Sequence, residues 1–361
     1  MCHCERSVAI PNDTPGTAAL RSQRRKISMI QSDQNRIDFL NRHIVDGGFL
    51  QSEEWRGFQE LVGRKTFHFE SDNRFANIIE HTLPWVGTYW YIPRGPVMAH
   101  DMESPEVSRQ FLMDIMARAD QEGVGWIRVE PSDESVLRLW QIIADSAIQE
   151  APHDMQPKEI FVMPIDGDEK DILSRMKSKT RYNIRLAEKK GVKVFVSHEQ
   201  RHVDAFCDLV EVTAKRDGIT PHPRAYYRKM LQAIPESMLK LYVAEYEGAV
   251  VAANLVVFFG EYATYLHGAS GNDHREMMAP YLLQWRQIQD ARANGCEHYD
   301  FGGVKMGDVE STWAGITRFK NGFSPHQPAT LFLGSYDVPV HRWRYKTYRV
   351  MQCVKNFVRF L

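Results

Sequence analysis

Two stretches far apart in this chain repeat one order of elements, and that repetition limits the architectures open to it. A strand-like Tyr89-Trp90-Tyr91-Ile92 precedes a helical pattern over Val107 to Gln121, then Gly123 and the apolar run Trp126 to Val129. Likewise, a strand-like Tyr262 to His267 precedes Tyr281 to Asn294, Gly295 and the run His298 to Phe301. The two helical patterns even close alike, on Ala117-Arg118-Ala119 and Ala291-Arg292-Ala293, 174 residues apart (291 minus 117). A repeat of that length points to a duplicated domain, not a solenoid unit. At 361 residues the chain also exceeds the ~250 to 300 at which single cores stop growing. Two domains with mixed sheets, in the α+β class, are therefore expected.

Around these units the local signals are clear. Leu241 to Glu245 and Val250 to Phe258 flank Tyr246-Glu247-Gly248-Ala249, and Gly260-Glu261 starts the next strand, which predicts an antiparallel meander. Ile37, Leu40 and Ile44 have helical spacing up to Gly47-Gly48, and Leu50-Gln51-Ser52 caps a second helix through Trp55, Phe58 and Leu61. Glu150 to Lys158 is polar, contains Pro152 and Pro157, and reads as a linker. Met1 to Ser28 is polar and aperiodic, with Pro11, Pro15 and Gly16, and is expected to be a disordered or misannotated extension, with the fold beginning near Met29. From His341 onward helical spacing returns, with Val350, Val354, Phe357 and Leu361 on one face.

Composition excludes several classes. The longest apolar stretch, Ala249 to Phe259, is short, β-branched and interrupted by Asn254, so it reads as strand and not as a membrane span. The first residues lack the apolar core of a secretory signal, and a cytoplasmic location, including the inner face of the membrane, is expected. Cys2, Cys4, Cys207, Cys296 and Cys353 are scattered without a CxxC pair, so neither a metal site nor a disulfide framework is expected. Net charge is only -1, and any attraction for polyanions must be local.

That local charge lies in Lys170 to Lys193. Lys170, Arg175, Lys177, Lys179, Arg181, Arg185, Lys189, Lys190 and Lys193 against Asp171 and Glu188 leave nine minus two, or +7. Arg181 and Arg185, four apart, share a helical face suited to phosphates, and Tyr182 between them suits stacking on a base or ribose. A solvated basic face is the plainer alternative.

The run KSKTRYNIRLAEKKGVKV (177–194), then YLHGAS (265–270), YLLQWRQIQDARANGCEHYDFGGV (281–304) and TRFKNGF (317–323) resemble, in order, the signature blocks of the Fem family of peptidoglycan aminoacyltransferases. Upstream, FLQSEEW (49–55), YIPRGPV (91–97) and IRVEP (127–131) resemble its N-terminal blocks. The resemblance implies two tandem domains like N-acetyltransferases of the GNAT type, with the C-terminal segment returning to the first. The division is then 29–155 plus 335–361 for the first and 156–334 for the second. Glu199 to Ala233 leaves no room for the helical arm of some members, so the likeness is to compact ones.

What the resemblance implies for function is transfer of an amino acid from aminoacyl-tRNA, a co-substrate and not a cofactor, to a stem-peptide amine of a UDP-linked or lipid-linked muropeptide precursor. Lys320 then stabilises the oxyanion and Phe319 packs on the terminal adenosine. Glu130 stands near the acceptor amine, to orient or deprotonate it. Lys177, Lys179, Arg181, Tyr182, Arg185 and Arg318 are expected on the tRNA. His222, Arg224, Tyr226, His267, Gln51 and Trp55 are expected around the acceptor, although compact relatives have arginine at the position of His222, and a guanidinium grips phosphate as imidazole does not. Trp55, spaced with Phe58, also fits a core position. An isolated Phe-Lys pair carries almost nothing by itself, and in isolation Lys320 reads as an exposed strand lysine.

The basic C-terminal helix, with Arg342, Arg344, Lys346, Arg349, Lys355 and Arg359 and no acidic residue after Asp337, suits an anionic membrane or a docked helix with a wet basic face. Two other functions fit parts of the pattern. One is an acyl-CoA-dependent N-acyltransferase, although Ser270 to Ala279 lacks the glycine-rich pyrophosphate turn; the other is a non-catalytic RNA-binding protein.

Overall fold

A computed structural model describes residues 34–71, 73–99, 105–145, 147–308 and 312–360. The expected N-terminal extension, 1–28, lies outside the described residues. Within them the chain is mixed α+β and builds two sheets. The first runs Thr66–Ser71, Arg74–Leu83, Gly87–Ile92, Trp126–Val129, Tyr336–Pro339, Gln149–Glu150. The second runs Thr330–Leu331, Glu159–Pro164, His298–Gly303, Tyr262–Ser270, Ala249–Phe259, Leu239–Tyr246, Lys193–Val196.

The repeat seen in the sequence is the heart of each sheet. Arg74–Leu83 pairs antiparallel with Gly87–Ile92; helix Pro105–Gln121 crosses over, and Trp126–Val129 lies parallel to Gly87–Ile92. In the same way Ala249–Phe259 pairs with Tyr262–Ser270, helix Ala279–Ala293 crosses over, and His298–Gly303 lies parallel to Tyr262–Ser270. A parallel neighbour requires such a crossover, which accounts for the helix between each pair. At the tight turn before Ala249–Phe259, Glu247 and Gly248 both take left-handed φ values (50° and 81°), as a hairpin turn that matches strand twist demands.

The strand that closes each repeat comes from elsewhere in the chain. Tyr336–Pro339 returns from beyond the second sheet to pair with Trp126–Val129, and Glu159–Pro164 pairs with His298–Gly303. Arg128 and Asp337 face each other in register, and their side chains form a buried bidentate pair at 2.7 and 2.9 Å.

One apolar cluster spans both sheets. Leu40, Phe58, Phe75, Tyr89 and Trp126 from the first half pack in one body with Phe206, Tyr227, Leu241 and Leu255 from the second. Trp55 is buried in it, edge-on to Phe49 at 5.4 Å and to Phe58 at 5.2 Å, so it is a core residue and not a surface for the acceptor. Ser52 caps its helix by accepting from the Trp55 N–H.

The C-terminal helix Arg342–Phe360 turns a different face inward from the one its spacing suggests. Tyr345 and Tyr348 are buried, with Tyr348 stacked on Trp126 at 4.4 Å, while Val350 and Val354 face solvent. Phe357, Leu361, Lys355 and Arg359 lie outside the described side chains. Among the described residues no helix is long and apolar enough to cross a membrane.

Candidate active site

The two parallel central strands of the second sheet part company. Tyr262, Ala263 and Thr264 pair with His298, Tyr299 and Asp300, and pairing then stops. Beyond that point Tyr262–Ser270 carries one extra residue, since Val256 faces Tyr265 while the adjacent Leu255 faces His267. Such a bulge bends a strand and re-aims its side chains. Strand His298–Gly303 is irregular too, between Asp300 and Gly303, and Gly302 takes a left-handed φ of 70°. The result is a V-shaped opening with backbone groups left free of sheet pairing.

Lys320 fills that opening. It sits in helix Ala314–Asn321, not in a strand, and only 6% of its surface is exposed. Its Nζ donates to the Gly303 carbonyl at 2.7 Å and lies 5.9 Å from the centre of the Tyr265 ring. Burial pushes its pKa down to about 8, against the opposing charge of Asp300, which holds it up. Asp300 is buried as well and accepts from the Gly302 N–H at 2.7 Å, which ties the turn that presents the Gly303 carbonyl. Burial and then Asp46 push the Asp300 pKa up to about 7, while the Gly302 N–H, Lys320 and Arg94 pull the other way.

Asp46 and Arg94 bring the first half to this point. Arg94, at a left-handed φ of 48°, is buried; its Nε donates to Asp46 at 3.0 Å and its Nη2 to the Pro157 carbonyl at 2.9 Å. Its guanidinium lies 3.4 Å from the centre of the Phe332 ring. Gly47, next to Asp46, has no room for a Cβ, which would come within 2.7 Å of Tyr262. A buried ion pair so completely bonded orients groups more than it stabilises the fold.

Two of the residues expected at the acceptor or its amine are instead fully occupied inside the chain. Glu130 accepts from Tyr91 Oη (2.9 Å) and Arg94 N (3.1 Å) on one oxygen, and from Gln156 N (3.0 Å) and Ser335 Oγ (3.0 Å) on the other. A carboxylate offers about four lone-pair sites, so Glu130 has none left for an amine and acts as a buckle. Gln51, wholly buried, donates to the Pro93 carbonyl at 2.5 Å and accepts from Asn77 N at 2.7 Å. Arg224, at the start of helix Arg224–Ala233, pairs with the exposed carboxylates of Asp208 and Glu211 at 2.5 and 2.6 Å.

The other acceptor residues do come together. His222 stacks on Tyr226 at 4.0 Å, and His267 meets both edge-on at 6.0 and 6.4 Å. Phe58 of the first half closes on Tyr226 at 4.9 Å. Burial, then Arg64, lowers the His222 pKa; burial, then His222, lowers that of His267 to about 3. His267 is therefore a neutral imidazole at pH 7, and its buried Nε2 has no hydrogen-bond partner among the described residues.

The basic segment folds as helix Ser178–Lys189 and is laced to the helix that carries Lys320. Lys177 N donates to the Gly322 carbonyl at 2.9 Å and Lys177 Nζ to Asn321 at 3.1 Å. Lys177, Lys179, Tyr182, Arg185 and Arg318 are exposed around this junction. Arg181 is not available with them: its Nη1 turns back onto the carbonyls of Met176 and Ser174, at the end of the preceding helix. Phe319 packs edge-on to Tyr281 at 4.9 Å and walls a cavity of about 420 Å³, with Ser270, His274 and Arg275 opposite, at the start of helix Ala279–Ala293.

Residues 145–249 and 242–353 match the model of the FemAB family, which covers more than half of the chain. The chain belongs to the FemAB family. Among curated relatives, the UDP-N-acetylmuramoylpentapeptide-lysine N(6)-alanyltransferase of Weissella viridescens is 29% identical over 185 residues, 51% of this chain and 54% of that one, so the match spans about half of that enzyme. The lipid II:glycine glycyltransferase of Staphylococcus epidermidis is 23% identical, over 80% of this chain and 87% of its own. The crystal structure of FemX shares the fold, with a TM-score of 0.76 at 19% identity over 89% of this chain and 98% of the other.

Against the FemAB blocks read in the sequence, the groups that reading left out are Asp300, Asp46, Arg94 and Tyr265. Asp300 lies within the 281–304 block, but the sequence did not show that Lys320 would be buried and so need an anionic neighbour. Asp46 and Arg94 gave no signal either, because their partners lie outside their own segments.

Proposed function

We propose that this chain moves an amino acid from aminoacyl-tRNA to the stem-peptide amine of a peptidoglycan precursor. The observation that carries the reading is the buried ammonium of Lys320 in the opening between the two parted strands. The names of the two curated relatives support a precursor of this kind as the acceptor. In the reaction a neutral amine attacks the ester carbonyl; a C–N bond forms, negative charge collects on the carbonyl oxygen, the ester C–O bond breaks, and the ribose oxygen departs with a proton. Lys320, held in a low-dielectric site, stabilises that charge without prior reorganisation. Phe319, on the cavity wall, is suited to the terminal adenosine, and the exposed Lys177, Lys179, Arg185 and Arg318 suit the phosphates beyond it.

The test is transfer itself. The chain, incubated with tRNA charged in turn with labelled glycine, alanine or serine and with a lysine-containing pentapeptide precursor in both nucleotide-linked and lipid-linked form, should yield a base-stable amide adduct by mass spectrometry. Acylation of an amine from acetyl-CoA, with no transfer from any charged tRNA, would overturn the reading.

The pH dependence follows from the site. Lys320 stabilises an oxyanion only while protonated, so activity should fall as pH rises through about 8. Asp300→Asn keeps an oxygen for the Gly302 N–H but removes the charge that holds the Lys320 pKa up. The alkaline limb of the pH–rate profile should therefore move to lower pH in Asp300→Asn, and a limb that stays in place separates Asp300 from Lys320.

A further inference from the structure

The helix Arg342–Phe360 is docked by one side only. Its opposite side carries Trp343, Val350 and Val354, which are 66%, 62% and 56% exposed. Spaced by seven and then four residues, they form an apolar stripe with Met351 beside it, and the exposed Arg342 and Lys346 flank the stripe. The Arg344 guanidinium lies 5.3 Å from the centre of the Trp343 ring, and a Cβ added at Gly87 would come within 3.6 Å of it. It thereby joins the helix to the turn before Gly87, where Trp85 stands 96% exposed at a left-handed φ of 68°. A left-handed backbone costs a non-glycine residue roughly 1–2 kcal/mol, and here it holds an indole out in water. The residues after Asp337 include six basic and no acidic side chains, although the whole chain has a net charge of -1.

We propose that this face, Trp85 together with the outer side of helix Arg342–Phe360, rests on an anionic lipid bilayer. Indoles and short aliphatic chains enter the headgroup boundary, and cationic side chains at their flanks reach anionic headgroups. An RNA would be attracted by the same cations, but it has no use for an aliphatic stripe of Val350, Met351 and Val354. A second copy of this chain would present the same positive charge and be repelled. The inference is independent of the transfer chemistry, and its test needs no substrate.

Full-length protein should co-sediment with phosphatidylglycerol-containing vesicles and not with pure phosphatidylcholine vesicles. Its tryptophan emission should shift to the blue on binding, and binding should weaken steeply with salt. Trp85→Ala with Trp343→Ala should weaken binding about tenfold or more, and Arg342→Glu with Lys346→Glu about a hundredfold. These side chains are exposed, so the thermal midpoints of both double variants should match the parent. Equal binding to both vesicle types, no binding to either, or unchanged affinity in both variants would overturn the proposal. Two further outcomes would reassign the face: loss of tRNA binding with vesicle binding intact makes it an RNA surface, and a concentration-dependent dimer lost in the tryptophan variant makes it a self-interface.

Discussion

Lys320→Met is expected to lower the proposed aminoacyl transfer by about 10²- to 10³-fold, the effect of removing one preorganised oxyanion donor, and to leave the protein no less stable at neutral pH. Methionine has nearly the length of lysine and fills the same buried position without the charge. Stability is the discriminating half of the result. A lysine whose folded-state pKa is lowered to about 8 from 10.5 pays for its burial in the charged form. Its cost to the fold is therefore present below about pH 8 and relieved as pH rises toward 10.5, so removal of the charge at pH 7 offsets the lost bond to Gly303. A residue that costs stability where it stands is a candidate for a role in the chemistry, which the rate half of the experiment tests. Single-turnover transfer rates and calorimetric melting of the parent and the variant check both halves. A rate within a factor of three of the parent would remove Lys320 from the reaction.

Asp337→Ala should be the most damaging single change to the fold. Arg128 and Asp337 are 1% and 0% exposed, and the carboxylate also accepts from Tyr345 Oη at 3.3 Å while Arg128 donates to Tyr348 Oη at 3.0 Å. Removal of the anion leaves a buried guanidinium without its partner, a loss of about 3–5 kcal/mol and a fall in melting temperature of roughly 10 °C. Because Tyr345 and Tyr348 hold the C-terminal helix on the first sheet, limited proteolysis should open that helix first. Asp337→Asn keeps two polar atoms in place and should lose less. Urea unfolding of the three proteins measures the series; a loss below 1 kcal/mol for the alanine variant would show that the pair is not the anchor of the closing strand.

The sequence by itself determined the elements and their repetition. Period-two runs, amphipathic helices, the Glu247-Gly248 turn and the Ser52 cap are all decided within a few residues of one another, where steric limits and local hydrogen bonds act. The ordered blocks from Phe49 to Phe323 likewise carried the family likeness, and with it Lys320 and Phe319. The tertiary structure decided how those elements are used. Periodicity reports that a helix has an apolar face and not which way it turns: it put Val350 and Val354 on one face, and the side chains that pack inward are Tyr345 and Tyr348. Composition marks Glu130, Gln51 and Arg181 as polar and available, yet each is spent on partners inside the chain. For Glu130 one of those partners, Ser335, is 205 residues away. Lys320 became a buried ammonium for the same reason: its acceptor Gly303 and its counter-charge Asp300 lie on a strand that only the parting of the second sheet brings beneath its helix. Pairings between distant segments are settled by the free energy of the whole assembled fold, and no local stretch of the chain contains them.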